Sequence, residues 1–304
     1  MYNAPPELPV RVFARVPDAL RMRGEKSAWA FGKDHSELHS FLEGPSFDRA
    51  GNLYVVDIPY GRILRISPAG EFTQVARYDG WPNGLKIHKD GRIFIADHLR
   101  GILVVDPANG QVTTVLDRVR REGLKGVNDL VFASNGDLYF TDQGQTGLQD
   151  ATGCVYRLRT DGHVDLLLDT IPSPNGIVLT PDEKFLMVAV TRANQIWRMP
   201  LHADGSTSKV AAFITLSGGL AGPDGLAMDA QGNLAIAHCG LGTVWLFSRL
   251  GEPLYRMRSP AGLATTNVAY GGPGNKHLYV TESDSGSILV AELPTPGLPL
   301  YSHR

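Results

Sequence analysis

Residues 41–57, FLEGPSFDRAGNLYVVD, decide the fold. Glu43 enters an apolar strand, an Asp-x-x-Gly turn closes on Gly51, and a second apolar strand runs into Asp57. Turn residues between two such runs mark a hairpin. Versions of the stretch recur at 81–97, 126–142, 174–189, 222–238 and 265–282. Glu43, Asn83, Asn128, Asn175, Asp224 and Asn267 hold the same place in each copy, eight residues before Gly51, Gly91, Gly136, Glu183, Gly232 and Asn275. Successive anchors are 40, 45, 47, 49 and 43 residues apart, the period of a repeat whose unit is one four-stranded sheet.

A single copy cannot bury both faces of its sheet, so the six must stack in a ring. The expected fold is all-β, a six-bladed β-propeller forming one domain over residues 1–304. The chain has 34 Gly and 20 Pro, which suits short strands joined by turns, and long helical patterns are missing. The sixth copy supplies only three strands, near 266–270, 277–281 and 287–291. Residues 10–16 (VRVFARV) resemble the outer strands of other units, so the N-terminal strand is expected to complete the last blade and remove the open edge. Residues 17–40 fit no repeat and form a candidate lid over one mouth. Their His35 and His39 lack the order of an H-E-x-x-H zinc motif and read as surface or lid residues. The segments before residue 10 and after Leu293 read as irregular.

The formal net charge of −2, with both signs interspersed, gives no footprint for nucleic acid or an anionic membrane. Small-molecule chemistry is the expectation that remains. Cys154 and Cys239 fall in different repeats and form no metal or redox motif, which suits free thiols. With neither a long apolar run nor signal-peptide features at the start, a soluble cytoplasmic protein is expected.

Antiparallel pairing brings residues before each first strand and after each second strand to the same mouth. The anchors therefore share a mouth with Asp57, Asp97, His98, Asp142, Gln143, His238 and Glu282. Six oxygen-bearing side chains around one axis suit a cage for a hard divalent cation, and the two charged ones, Glu43 and Asp224, balance its charge. Turn capping accounts equally well for Asn and Asp, and Asn-Gly at 83–84 and 175–176 is also an ordinary turn signal. Glu43 is different, since Glu is a poor turn former. His98 and His238 follow second strands on the same mouth, where packing competes with substrate contact or proton transfer. Trp81 either lines that mouth or packs in the core. Neither a G-x-S-x-G elbow nor a Cys/His nucleophile pattern is present.

The runs LEGPSFDRAGNLYVVD, GVNDLVFASNGDLYFTD, SPNGIVLTPDEKFLMVA and GPDGLAMDAQGNLAIA, in this order, resemble the senescence-marker-protein/gluconolactonase (regucalcin-like) family over about residues 40–292. The resemblance implies a six-bladed propeller with one central divalent metal, Ca²⁺ foremost, with Zn²⁺, Mn²⁺, Mg²⁺ or Fe²⁺ as alternatives. It places the metal on Glu43, Asn128, Asn175 and Asp224, with Asp224 also the catalytic base. Asn83 and Asn267 are not usual ligands there. Trp81, Asn83, His98, Asp142, Gln143 and His238 are the candidates for substrate contact. Sugar-lactonase members carry an Arg where this chain has Gly126, and FTDP where it has Phe140-Thr141-Asp142-Gln143. Both departures lie where substrate would be contacted. The implied activity is metal-dependent opening of a small lactone, such as a sugar lactone. The alternatives are a calcium-dependent phosphotriesterase of the diisopropyl-fluorophosphatase type and a non-catalytic calcium-binding propeller.

Overall fold

In the computed structural model, which describes residues 4–30 and 38–304, the copies form six antiparallel four-stranded sheets arranged as a ring, a β-propeller. The first blade runs outward from the axis as Leu42–Phe47, Leu53–Asp57, Arg62–Ile66 and Phe72–Arg77. Inner strands of neighbouring blades pack against one another, and the sixth, Thr265–Gly271, returns to Leu42–Phe47. All six residues eight positions after the anchors have left-handed backbone, with φ of 81°, 91°, 93°, 55°, 82° and 55°. Glycine adopts this conformation without steric cost, which explains its use in four of the six turns.

The expected closure is present. Arg11–Arg15 pairs antiparallel with Ser287–Glu292, so the last blade is made from both chain ends. Between blades, facing sheets interlock into apolar clusters. Leu53, Val55 and Leu64 of the first blade, for instance, share one cluster with Ala269, Tyr279 and Ile288 of the sixth. Every residue of Leu42–Phe47 is buried, so this strand reads as a continuous buried run without alternation.

Both ends are more ordered than their composition implies. Glu7–Leu8, expected to be irregular, adds a parallel strand to the outermost strand of the fifth blade, Pro253–Arg258. The tail after Leu293 crosses the mouth opposite the anchors. Leu298 N donates to Met228 O (2.9 Å), Ser302 Oγ to Phe47 O (3.0 Å), and Tyr301 stacks on Phe132 at 4.8 Å. Proline prevents a strand in this tail, yet leaves backbone groups and apolar side chains able to bind the ring.

Of the candidate lid, residues 31–37, including His35, lie outside the described residues. The described part leans on the first blade: Ser27 Oγ donates to Pro59 O (2.6 Å), and the Trp29 and Phe41 rings are 4.8 Å apart. His39 is engaged by Arg21 Nη1 at 2.6 Å and by Ser40 Oγ. Among the described residues no helix is long and apolar enough to cross a membrane.

Candidate active site

The strand register slips at the anchor in all six inner strands, between Glu43 and Ser46, Pro82 and Gly84, Val127 and Leu130, Pro174 and Ile177, Pro223 and Leu226, and Thr265 and Asn267. A bulge re-aims the side chain at the slip. Asn83-Gly84 and Asn175-Gly176 are therefore not turns; they lie inside the strands Pro82–Ile87 and Pro174–Leu179. Their glycines answer a different need. A Cβ on Gly176 would lie 2.4 Å from Asp224 O, and one on Gly225 would lie 2.0 Å from Asn267 Oδ1. Neighbouring inner strands approach too closely at the axis for any side chain there.

Glu43, Asn83, Asn128, Asn175 and Asp224 line one cavity of about 740 Å³, together with Trp81, His98 and Gln143. The sixth anchor, Asn267, supports this group from below. Its Nδ2 donates to Glu43 Oε2 at 2.7 Å while its Oδ1 accepts from Val268 N at 2.8 Å. Asn128 Nδ2 donates to Gln143 Oε1 (2.9 Å), and Gln143 Nε2 donates to Ser173 Oγ (2.9 Å). With its NH₂ so engaged, Asn128 keeps its amide oxygen as the free ligand atom.

The charges are unusual. Burial pushes the Glu43 carboxyl up to about 8, against hydrogen bonds from Gly44 N and Asn267 and with help from nearby Asp129. Asp224 is raised well above the ordinary carboxyl range by burial first, then by the negative charges of Glu43 and Asp129, while hydrogen bonds from Asn175 and Cys239 oppose the rise. Among the described residues one cation, Lys86, reaches Asp129 Oδ1, at 3.6 Å. Two buried carboxylates that repel each other fit a dication, which would favour both in ionised form. Among the described residues no group of three His, Cys, Asp or Glu could hold a metal, so such a cage would combine two carboxylates with two amide oxygens.

Two expected substrate contacts do not fit this geometry. Asp142 and His238 do not line the cavity. Asp142 is 1% exposed and spends its oxygens on Lys125 N and Gly126 N, at 3.0 and 2.7 Å. His238 is fully buried, accepting from Trp245 Nε1 (3.2 Å) and donating to Gly218 O (3.1 Å), and burial lowers its pKa, which keeps the ring neutral. The other acids that end second strands behave like Asp142. Asp57 caps Phe41 N, Asp97 caps Leu99 N and Arg100 N, and Glu282 caps Asp284 N and Ser285 N.

Gly126 is explained by His98. A Cβ at Gly126 would lie 2.4 Å from His98 Cε1, so the imidazole fills the space a side chain there would need. His98 in turn stacks on Trp81 at 5.9 Å. The cavity also includes Ala28, Trp29, Phe41, Ile58, Gln145, Ser173 and Arg192, none of which is a candidate site residue from the sequence. Phe41 and Ser173 stand two residues before their anchors, as Trp81 does, and the others come from segments outside the compared stretches.

A family model described as "SMP-30/Gluconolactonase/LRE-like region" matches residues 41–284. The chain belongs to this family. Within the family's reach, it is 31% identical over 271 residues to "Lactonase drp35" of Staphylococcus aureus (strain MRSA252), covering 82% of this chain and 81% of that protein. It is 30% identical over 260 residues to the protein of the same name from Staphylococcus epidermidis (strain ATCC 12228 / FDA PCI 1200), covering 80% and 78%. Among solved structures, a calcium-binding regucalcin of Agrobacterium tumefaciens matches with a TM-score of 0.79 and 24% identity, over 98% of this chain and 99% of that one. A gluconolactonase of Xanthomonas campestris matches at 0.74 and 24%, over 96% and 99%. At these identities the structural likeness speaks to the propeller fold.

Proposed function

We propose that this protein is a metal-dependent lactonase, with Glu43, Asn128, Asn175 and Asp224 holding one divalent ion, Ca²⁺ foremost. The observation that carries the reading is the meeting of these four anchors in one cavity, with only two carboxylates among them. The family and its lactonase relatives supply the reaction class. When bound, the ion supplies Lewis acidity for the ester carbonyl and offsets charge that develops on its oxygen.

The remaining work falls to the chain. Asp224 is the general base: it takes a proton from the attacking water and returns it to the leaving alkoxide oxygen of the ring. Hydrogen bonds from Asn175 and Cys239 fix its carboxylate. Glu43 is held by Gly44 N and Asn267 Nδ2, at 2.6 and 2.7 Å, so its remaining oxygen has one direction to face. Trp81, His98 and Phe41 wall the approach to the ester and limit bulk water around it.

The test pairs chelation with a lactone panel. Hydrolysis is expected to vanish when the metal is chelated and return on adding Ca²⁺, and Asp224→Ala is expected to lose at least roughly 10²-fold in kcat, as general bases typically contribute that much. Undiminished turnover after chelation overturns the reading. Single turnover in ¹⁸O water distinguishes direct attack by Asp224: label in the enzyme carboxylate would replace the general-base assignment.

A further inference from the structure

The cavity wall has two unlike halves. Trp29, Phe41 and Ile58 come from the first blade and the segment leading into it, and the second blade contributes Trp81 and His98, stacked with 27° between their planes. This half is apolar and aromatic. The third and fourth blades contribute Gln143, Gln145, Gln149, Ser173 and Arg192, with Leu148 the apolar exception among them. In a six-membered ring the fourth blade, which carries Arg192, faces the first across the axis, while the second and third blades are neighbours.

Arg192 stands out on the polar side. Among the described residues it is the one Lys or Arg lining the cavity, and no ion pair or hydrogen bond of its side chain is found there. The two acids that line the cavity, Glu43 and Asp224, are the proposed metal ligands. The guanidinium is carried by a firmly held turn. Thr191 Oγ1 donates to Pro223 O (2.7 Å), Thr191 N to Ser173 O (3.1 Å), and Asn194, with φ of 54°, closes the turn and donates through Nδ2 to Gly218 O (3.0 Å). Just before the turn, Val190 pairs with Pro174, the neighbour of Asn175. Arg192 is thus positioned by the same ladder that positions a proposed metal ligand and by the backbone beside Asp224.

We infer that Arg192 is the specificity-determining residue for an anionic group, and that the substrate is a lactone with an apolar or aromatic body and a carboxylate. The body lies against Trp81, His98, Phe41 and Ile58, and the carboxylate meets Arg192, whose planar fork suits bidentate pairing. A polyhydroxylated ring finds few hydrogen-bond partners on the aromatic half, where its hydroxyls would be desolvated without compensation. The inference rests on the lactonase reading for its ester, but the anion site is testable without it.

The experiment compares an aryl lactone bearing a carboxylate with its uncharged carboxamide, using the Ca²⁺-loaded enzyme. The wild type is expected to favour the carboxylate by roughly tenfold or more in kcat/KM, the value of one good charge-assisted contact. Arg192→Met is expected to bring that ratio close to one, mainly through KM. Arg192→Glu is expected to invert the preference toward the matching aminomethyl lactone. Arg192 is exposed, so folding of these variants is not at issue. A wild-type ratio near one, or a ratio retained in Arg192→Met, overturns the inference. If neither lactone is hydrolysed, the lactonase reading fails, and calorimetry with the ring-opened aryl carboxylate decides the rest. Binding weakened roughly tenfold by Arg192→Met upholds the anion site, and equal binding by both proteins overturns it.

Discussion

Glu43 sits where five other blades place Asn or Asp, and it is 3% exposed. Its carboxyl is raised from 4.5 to about 8, chiefly by burial. The sign for metal-free protein follows from linkage: the unfolded chain ionises first, so stability falls as pH rises from about 4.5 and levels off above about 8. Glu43→Gln keeps acceptors for Gly44 N and Asn267 Nδ2 but removes the buried charge. In chelator at pH 8, its melting temperature is expected to exceed that of the wild type by roughly 2–4 °C or more, with a flatter pH profile. Added Ca²⁺ should then raise the wild type far more than the variant. Calorimetric scans with and without Ca²⁺ check both, and an equal Ca²⁺ shift in the two proteins contradicts the ligand assignment. Gly225 makes the complementary case. Its missing Cβ leaves room for Asn267, the residue that supports Glu43. Gly225→Ala is expected to cost about 1–3 kcal/mol in urea unfolding through overpacking and to weaken Ca²⁺ binding as well. Full stability in that variant contradicts the close approach.

At the scale of elements, the recurring unit is a bulged inner strand, a left-handed turn and a second strand that in four blades ends in an acid. The inner strand and the turn are legible in the sequence, and the bulge is not. Eight residues separate anchor from turn in every copy, and backbone geometry demands glycine or a tolerant residue at the turn. The third part is legible as a pattern and misleading as to role. Asp57, Asp97, Asp142 and Glu282 do reach the mouth that carries the anchors, but loop amides claim their oxygens, a choice set by the path of loops that share no register. Asn-Gly is ambiguous for a related reason: one dipeptide serves a turn or a bulge against a neighbouring strand, and only packing between blades separates them. Asp57 shows how heavily these end acids are used. It accepts from Phe41 N at 2.7 Å and from Arg62 Nε at 2.9 Å, and Arg62 reaches Leu20 O at 2.8 Å, with both side chains at most 1% exposed. Removing either partner strands a buried charge, so Asp57→Ala or Arg62→Ala is expected to cost about 3–5 kcal/mol. The double variant Asp57→Leu/Arg62→Met is expected to recover much of that loss. Urea midpoints measure the cycle, and additive single losses contradict the pairing.

For the whole molecule, the two mouths of the ring differ: one is open and the other sealed. The mouth that carries the anchors keeps a cavity of about 740 Å³ open, while the opposite mouth is filled by the C-terminal tail over a cavity of about 90 Å³. That small cavity is lined by Leu226, Met228, Val268 and Tyr270 of the ring and by Leu298 and Tyr301 of the tail. The tail is tied down at its ends as well as its middle: Gly297 N donates to Asn275 O (2.8 Å), and Arg304 Nη1 pairs with Glu183 Oε1 (3.0 Å). Asn275 and Glu183 are themselves left-handed turn residues of the repeat, so the tail reads the turns of two blades and braces them. Tyr301 is the central contact, buried against Phe132 and 5.1 Å from the His88 ring. Tyr301→Ala is expected to cost about 3 kcal/mol, the lower range for losing a buried aromatic side chain. Deleting residues 296–304 is expected to cost more, because the packing of Leu298 and Leu300 against the ring is lost too. The anchors hang from bulges at the other end of the inner strands, so Ca²⁺ affinity should stay within about twofold in Tyr301→Ala, well under the tenfold change that 1.4 kcal/mol would bring. Urea unfolding together with Ca²⁺ titration measures both. A large loss of Ca²⁺ affinity in that variant would mean that the tail sets the spacing of the inner strands at the cage as well as sealing the ring.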